Sequence, residues 1–218
     1  MGDFSVYKFY EWLLSPFLKS SEHPMIFTEY PFWIFFLFVI LGYGLVYKKL
    51  RVRSIFLFIV SLYFYYKTSG FFFSILLFST IVDFYLGKAI FICKKEPYAK
   101  IFLGFSVAIN LLILIYFKYA YFFTDSFNAI IGSNWHPINH FASFTNQFTG
   151  SSFRVDQILL PVGISFYTFQ TMSYSIDIFR KKLSPVNNIF DFGFYVSFFP
   201  QLVAGPIVRA ADFIPQIH

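Results

Sequence analysis

A stripe of polar side chains near the end of the sequence is the first candidate for chemistry. Tyr167, Gln170 and Tyr174 follow Gly163 and precede Asp177 at alternating spacings of four and three, which places all five on one face of a helix. Hydroxyl, amide and carboxylate groups are costly in contact with lipid, so this face is expected to point inward. It could hydrogen-bond to a neighbouring helix, or it could line a polar cavity that binds a polar substrate.

A second candidate lies in the next apolar run, which begins near Ile189. Pro200 removes a backbone donor about halfway along this run, and Gly205 and Pro206 interrupt it again. Inside a bilayer every backbone N–H and C=O needs a partner, so such interruptions are tolerated only against protein or a water-filled cavity. The pattern, which includes Gln201, favours a re-entrant or unwound segment over a kinked but continuous helix.

Isolated polar residues have more than one interpretation. Arg209, just past the second interruption, could bind a phosphate or carboxylate, or could anchor the chain among lipid headgroups. Asp83 lies within an apolar run, where a carboxylate suggests a functional site, but an interfacial position or a pairing with Lys88 is favoured over proton transfer. Asn110 is interpreted as a helix-contact residue.

Side chains that accept protons near neutral pH are absent from the apolar runs. His23, His136, His140 and His218 all lie outside them, although histidine is the usual proton acceptor at pH 7. Pro137 separates the two central histidines and no cysteine or third histidine lies nearby, so no metal site is predicted. The sequence also contains no glycine-rich phosphate loop, GxSxG or HExxH motif.

The elements that must position these residues are membrane helices. Hydrophobic residues make up 57% of the 218 positions and charged residues 13%, and the mean hydropathy is +0.62, outside the range of soluble domains. The predicted fold class is therefore all-α, a polytopic membrane protein with about six transmembrane or re-entrant helices. Because about 20 apolar residues span the hydrocarbon core, the candidate runs are 31–47, 54–66, 70–87, 101–123, 158–179 and 189–208.

The net charge of +6 comes from basic residues in short loops between these runs. This placement indicates membrane topology rather than nucleic-acid binding. The basic loops alternate with basic-poor connections, so they are predicted to lie in the cytoplasm, with the N-terminus and the 124–157 connection outside. Lys67 to Gly70 are expected to form a tight hairpin rather than part of a re-entrant piece. The predicted cytoplasmic loops are 48–53, 88–100 and 180–182.

We divide the chain into an N-terminal interfacial segment, residues 1–30, and one membrane domain, residues 31–218. The first segment alternates aromatic and polar residues, as amphipathic helices at membrane surfaces do. Cys93 is the only cysteine, which excludes a disulfide within the chain.

Two blocks of sequence resemble the signature region of the membrane-bound O-acyltransferase family. They are LLPVGISFYTFQTMSYSIDIFR at 159–180 and FYVSFFPQLVAGPIVRAADFIPQI at 194–217. Both occur in the family's order and at its separation. The similarity is to the bacterial branch that acylates exported envelope polymers such as alginate and teichoic acids.

The resemblance implies a partial fold of this family, with a funnel through the bacterial inner membrane. In such a funnel an acetyl group passes from a cytoplasmic thioester, acetyl-CoA or an acyl carrier protein, to a hydroxyl of an exported polysaccharide. No cofactor stays bound, and the implied partners are the lipid bilayer, the polysaccharide and a periplasmic or secreted acetyltransferase. The substrate-binding or funnel-lining residues implied by the resemblance are Tyr167, Gln170, Tyr174, Pro200, Gln201, Gly205, Pro206 and Arg209.

The chain departs from the family in its length. Family members are considerably longer, and their catalytic histidine lies in the half that follows this signature region. We therefore expect that histidine beyond His218, assign no catalytic residue here, and expect this chain alone to be an inactive N-terminal part. A non-catalytic membrane scaffold and a transporter fragment are the alternatives, because transporters also contain broken helices.

Overall fold

The computed structural model describes residues 27–149 and 155–217. The interfacial segment predicted at residues 1–30 lies almost entirely outside these ranges. Within them the chain is helical and forms no strand, which confirms the predicted all-α class. The helices are α1 (Tyr30–Val46), α2 (Leu50–Ser69), α3 (Phe73–Ile92), α4 (Glu96–Leu114), α5 (Ala120–Ile131), α6 (His140–Thr149), α7 (Ile164–Phe179), α8 (Ile189–Ser197), α9 (Phe199–Ala204) and α10 (Ala210–Phe213). Shorter turns are a 3₁₀ turn at Gly70–Phe72, a π turn at Ile115–Tyr119 and a 3₁₀ turn at Ile214–Ile217.

Within the described ranges, two helical stretches are long and apolar enough to cross a membrane, Leu50–Ile92 and Glu96–Ile131. Helix α1 is a shorter apolar helix of 17 residues. Large apolar side chains lie exposed along these helices, including Leu45 and Ile92. Such surfaces suit contact with lipid and would be adhesive in water. The last two predicted runs correspond to shorter helices, α7 with 16 residues and the pair α8 and α9 with 9 and 6.

The stretch that contains α2 and α3 folds back on itself at Gly70. This residue has a φ of +59°, a conformation that glycine adopts without a side-chain clash. Phe58 in α2 and Phe84 in α3 both contact the start of α8, at Phe190 and Phe192 respectively. A straight helix would separate Phe58 from Phe84 by about 39 Å, at about 1.5 Å per residue. The chain therefore reverses direction at this point, and the predicted hairpin is confirmed.

The three basic loops meet at one end of the helix bundle. Lys88 near the end of α3 donates to the carbonyl of Asn187 before α8, at 3.1 Å. Residues between 90 and 99 border the same cleft as residues between 178 and 181. Phe58 of α2 contacts Phe190 at the start of α8, whereas Phe64 contacts Phe199 beyond its end, so α2 begins at this end too. This arrangement agrees with the prediction that the three loops share one side of the membrane.

The final apolar run is broken, as its prolines predict, but the break lies two residues earlier than Pro200. Helix α8 ends at Ser197, and Phe198 has φ −52° and ψ 105°, outside the helical region. Proline cannot donate to the carbonyl four residues before it and its ring clashes there, so α8 cannot continue through Pro200. In the first turn of α9, where the structure places it, proline is favourable.

The chain around this break is sheltered by protein. Phe199 and Leu202 in α9 are only 3% and 2% exposed. After α9 the chain is irregular from Gly205 to Arg209, before α10 begins. The prediction of a segment that is broken rather than simply kinked is therefore confirmed.

Candidate functional site

The polar stripe of α7 faces the interior of the bundle. Tyr167 and Tyr174 are fully buried, and Gln170 and Asp177 are 1% and 8% exposed. The hydroxyl of Tyr174 accepts a hydrogen bond from the backbone N–H of Val186 at 3.1 Å, which holds the chain after α7 against the helix. The expected inward orientation of the stripe is confirmed.

The start of α7 meets the broken segment through a glycine. Gly163, the residue before α7, has φ +73°, and a Cβ atom there would lie 2.8 Å from the carbonyl oxygen of Leu202 in α9. Only glycine combines this backbone conformation with so close an approach. The two elements predicted to form a site are therefore in direct contact.

A tyrosine that the sequence analysis did not select forms a second connection. The hydroxyl of Tyr195 in α8 lies 3.1 Å from the carbonyl of Val208 and 3.4 Å from that of Gln170. It thus connects the irregular segment after α9 to the middle of the polar stripe. One aromatic residue in a phenylalanine-rich helix gives no signal of this role in the sequence.

The predicted funnel residues of the broken segment differ in their burial. Gln201 is 7% exposed, and its side-chain amide donates to the carbonyl of Pro206 at 3.2 Å. Pro200 and Gly205 are half-buried, whereas the side chains of Pro206 and Arg209 are exposed. The structure therefore brings Gln201 into the interior with the stripe and leaves Arg209 at the surface.

Several buried oxygens of α7, α8 and α9 have no hydrogen-bond partner among the described residues. They include the side-chain amide oxygens of Gln170 and Gln201 and the hydroxyl of Ser197. Buried polar atoms are normally paired with protein or water, and an unpaired one is costly. These three oxygens can accept hydrogen bonds from a hydroxyl group or from water.

A cavity of 280 Å³ adjoins the break on another side. It is bordered by Phe198 at the break itself, by Tyr43 of α1 and by Arg53 of α2. Arg53 also donates to the carbonyl of Ile217. None of the eight predicted funnel residues borders this cavity, so it was not predicted from the sequence.

A buried polar cluster joins α3, α4 and α7. Its centre is the carboxylate of Asp83, which is completely inaccessible to solvent. The Ser106 hydroxyl donates to Oδ1 at 2.5 Å, and the Asn110 amide donates to Oδ2 at 2.7 Å. Thr171 donates to the Asn110 side-chain oxygen at 3.0 Å, and the hydroxyl oxygens of Ser106 and Ser175 are 2.8 Å apart. Each of the three helices thus contributes at least one polar side chain.

The expected pairing of Asp83 with Lys88 is wrong. The Lys88 ammonium bonds to the Asn187 carbonyl and lies 4.1 Å from the centre of the Phe84 ring. Residues five apart point in different directions on a helix, because neighbours on one face are three or four apart. Asp83 instead bonds to neutral donors on α4, whereas Asn110 acts as the predicted helix-contact residue.

Comparison with known proteins identifies relatives of this sequence. Over 196 residues, 89% of the chain, it is 35% identical to a protein of Azotobacter vinelandii named probable alginate O-acetylase AlgI. It is 34% identical over 195 residues to the protein of the same name from Pseudomonas aeruginosa. The chain is a homologue of the alginate O-acetylases of the membrane-bound O-acyltransferase family. The resemblance inferred from the sequence is therefore confirmed.

A relative of lower identity to this chain has a different name. The chain is 26% identical over 229 residues to a peptidoglycan O-acetyltransferase of Helicobacter pylori, with 94% of the chain covered. No family model matches the chain, and no solved structure matches it. The chain spans 36% of the Azotobacter protein, 35% of the Pseudomonas protein and 40% of the Helicobacter protein.

Proposed function

We propose that this chain is part of a membrane-bound O-acyltransferase that acetylates an exported cell-envelope polysaccharide. The observation that carries the proposal is homology along nine tenths of the chain to proteins named for acetylating glycans. The Helicobacter relative is named for a second glycan, so O-acetyl transfer to a glycan is the shared activity. Alginate or a related envelope polysaccharide is the acceptor that we favour.

The donor in this proposal is a cytoplasmic acetyl thioester, acetyl-CoA or an acyl carrier protein. A hydroxyl oxygen of the acceptor attacks the thioester carbonyl carbon, a C–O bond forms and the C–S bond breaks. The hydroxyl proton leaves through a general base, and the thiolate takes up a proton. His136 and His140 are exposed before and at the start of α6, so we place this base outside the described residues.

In the same proposal the contact between α7 and α9 holds the reacting groups. The unpaired amide oxygens of Gln170 and Gln201 can each accept a hydrogen bond from a hydroxyl group that enters this contact. Tyr167 and Tyr174 form buried walls beside them. Correct orientation of bound reactants contributes much of the rate of such transfers.

We further propose that the protein crosses the bacterial inner membrane with about six transmembrane or re-entrant helices. The shared end of the three basic loops supports a cytoplasmic location for that end. The thioester would then reach the protein from the loop side. A periplasmic or secreted acetyltransferase partner would act on the opposite side, where we also propose to place the N-terminus.

The proposal is tested by the ester content of the envelope glycan. We expect deletion of the gene to reduce alkali-labile O-acetyl groups, measured by NMR of the purified polysaccharide. Restoration with Gln201→Ala should give about tenfold less acetylation than restoration with the natural sequence, as expected when a binding interaction is lost.

Two controls accompany this experiment. Gln157→Ala removes an exposed glutamine and should restore full acetylation. Immunoblots of membranes should show equal amounts of every variant. Unchanged acetyl content of all envelope glycans after deletion would contradict the proposed function.

A further inference from the structure

A cleft of 620 Å³ opens at the basic end of the bundle. It lies between the end of α3, the start of α4 and the end of α7. Its floor is apolar and includes the buried side chains of Ile90, Ala99 and Ile178. Lys94 and Lys181 border the same cleft, and both are exposed. The cleft therefore combines an apolar floor with a cationic mouth.

The backbone at Lys181 is in a conformation that lysine rarely adopts. Its φ is +58°, and it is the one residue other than glycine with a positive φ in the described chain. Its N–H bonds to the carbonyl of Ile178, and the N–H of Lys182 bonds to that of Asp177, both at 2.9 Å. This is the position after a helix where glycine is usual, because a side chain there is strained.

With lysine instead of glycine at this turn, the backbone is less stable, but a positive charge is placed at the cleft. Strained residues of this kind persist where the surrounding structure holds them, and they concentrate at ligand sites. At Lys181 the gain is an ammonium group at a cleft that Lys94 also borders. The strained residue therefore lies at the cleft itself.

The charge around the cleft favours an anion. Residues 93–100 and 180–182 contain six basic side chains and one acidic side chain, Glu96. The Glu96 carboxylate borders the cleft but bonds to Lys100 at 2.8 Å, which reduces its repulsion of an anion. Lys94 and Lys181 are the basic residues that border the cleft itself, so its mouth is positive.

We propose that this cleft binds an anionic phospholipid of the surrounding membrane. Lys94 and Lys181 contact the phosphate group, and the first part of an acyl chain covers Ile90 and Ile178. Basic pockets between membrane helices at the water boundary select such headgroups. Free phosphate would leave the apolar floor uncovered, so a lipid fits the cleft better than an inorganic ion.

The test uses the protein in nanodiscs that contain equal amounts of phosphatidylglycerol and phosphatidylcholine. Native mass spectrometry then counts the lipids that stay bound.

We expect phosphatidylglycerol to be retained preferentially. In the double variant K94Q/K181Q this preference should fall on the order of tenfold. The control K48Q/K49Q removes the same charge from another basic loop and should change the preference less than about twofold. Equal losses in the two double variants would overturn the proposal, because general surface charge would then explain retention.

A second variant separates the lysine's charge from its effect on folding. Lys181→Gly relieves the positive φ and removes the ammonium, so it should unfold at the same or a higher temperature than the natural protein while retaining less phosphatidylglycerol. Undiminished retention in this variant would overturn the assignment of Lys181.

Competition experiments distinguish a lipid from a free phosphate. Short-chain dihexanoyl phosphatidylglycerol should displace the bound lipid, and glycerol 1-phosphate at the same concentration should not. Equal displacement by both would overturn the lipid assignment. None of these measurements depends on acetyl transfer, so the result is independent of the proposed function.

Discussion

The side-chain amide of Asn110 donates to the carboxylate of Asp83 at 2.7 Å, across the interface between α4 and α3. The two residues are 27 positions apart in the chain and almost or fully inaccessible to solvent. A buried carboxylate without such donors would be highly unfavourable. The contact therefore stabilises the packing of α4 against α3.

Replacement of Asp83 should destabilise the bundle more than replacement of any exposed aspartate. Asp83→Ala leaves the Asn110 amide and the Ser106 hydroxyl without their acceptor, so we expect a loss of about 2–3 kcal/mol in the free energy of unfolding. Unfolding in detergent, followed by circular dichroism, measures this loss. Asp125→Ala, at an exposed position of α5, serves as the control and should change stability by less than about 0.5 kcal/mol.

A double-mutant cycle isolates the pair itself. If Asp83 and Asn110 interact as the structure shows, Asp83→Ala combined with Asn110→Ala should cost about 1–3 kcal/mol less than the two single losses added together. Simple additivity of the two losses would contradict a direct contact.

Gly163→Ala should disturb the contact between α7 and α9. Alanine has to adopt φ +73° and place its Cβ 2.8 Å from the Leu202 carbonyl oxygen, so a loss of about 1–3 kcal/mol is expected. Thermal unfolding measures it. Gly44→Ala is the matched control, because Gly44 lies within α1 with open space around it and should tolerate or even favour alanine. Equal behaviour of the two variants would contradict the described approach of α7 to α9.

Gly87→Ala should displace the ring of Tyr174. An added Cβ would lie 2.6 Å from Cε1 of that ring, which is packed between α3 and α8. We expect an overpacking loss of about 1–3 kcal/mol, measured by chemical denaturation. Gly104→Ala, at an α4 position with no atom within reach of a new Cβ, should be neutral or stabilising. A neutral Gly87→Ala would show that α3 and α7 are less closely packed than described.

Tyr195→Phe should loosen the irregular segment after α9. The substitution keeps the ring but removes the hydroxyl that lies 3.1 Å from the Val208 carbonyl, at a cost of about 1 kcal/mol. Limited proteolysis between Gly205 and Arg209 should become faster, whereas Tyr85→Phe, at an exposed ring of α3, should leave the rate unchanged. Equal rates of proteolysis in the two variants would contradict a stabilising bond between Tyr195 and the Val208 carbonyl.

The inward face of α7 was predictable because it depends on spacing within one helix. Tyr167, Gln170 and Tyr174 are spaced at three and four, and any membrane helix with that pattern buries its polar face. The interruption of the final run was also predictable from Pro200. Its exact position was not, because the chain can leave the helix at any of several residues before a proline.

The cluster around Asp83 was not predicted because its contacts join distant parts of the chain. A local signal did exist, since Ser79 and Asp83 are four apart, as are Ser106 and Asn110. Each pair marks one polar spot on an otherwise apolar helix. The sequence does not reveal that the two spots meet, whereas Lys88 was a nearby partner of opposite charge.

The position of the Asp83 donors along the chain also has a consequence for biogenesis. Asn110 and Ser106 belong to the next helix to emerge from the ribosome, whereas Ser175 follows Ser106 by 69 residues. The carboxylate can thus be satisfied by a two-helix intermediate in the insertion machinery, long before α7 is synthesised. Helix α7 then joins a preformed pair, and Thr171 donates to the Asn110 side-chain oxygen that this pair presents.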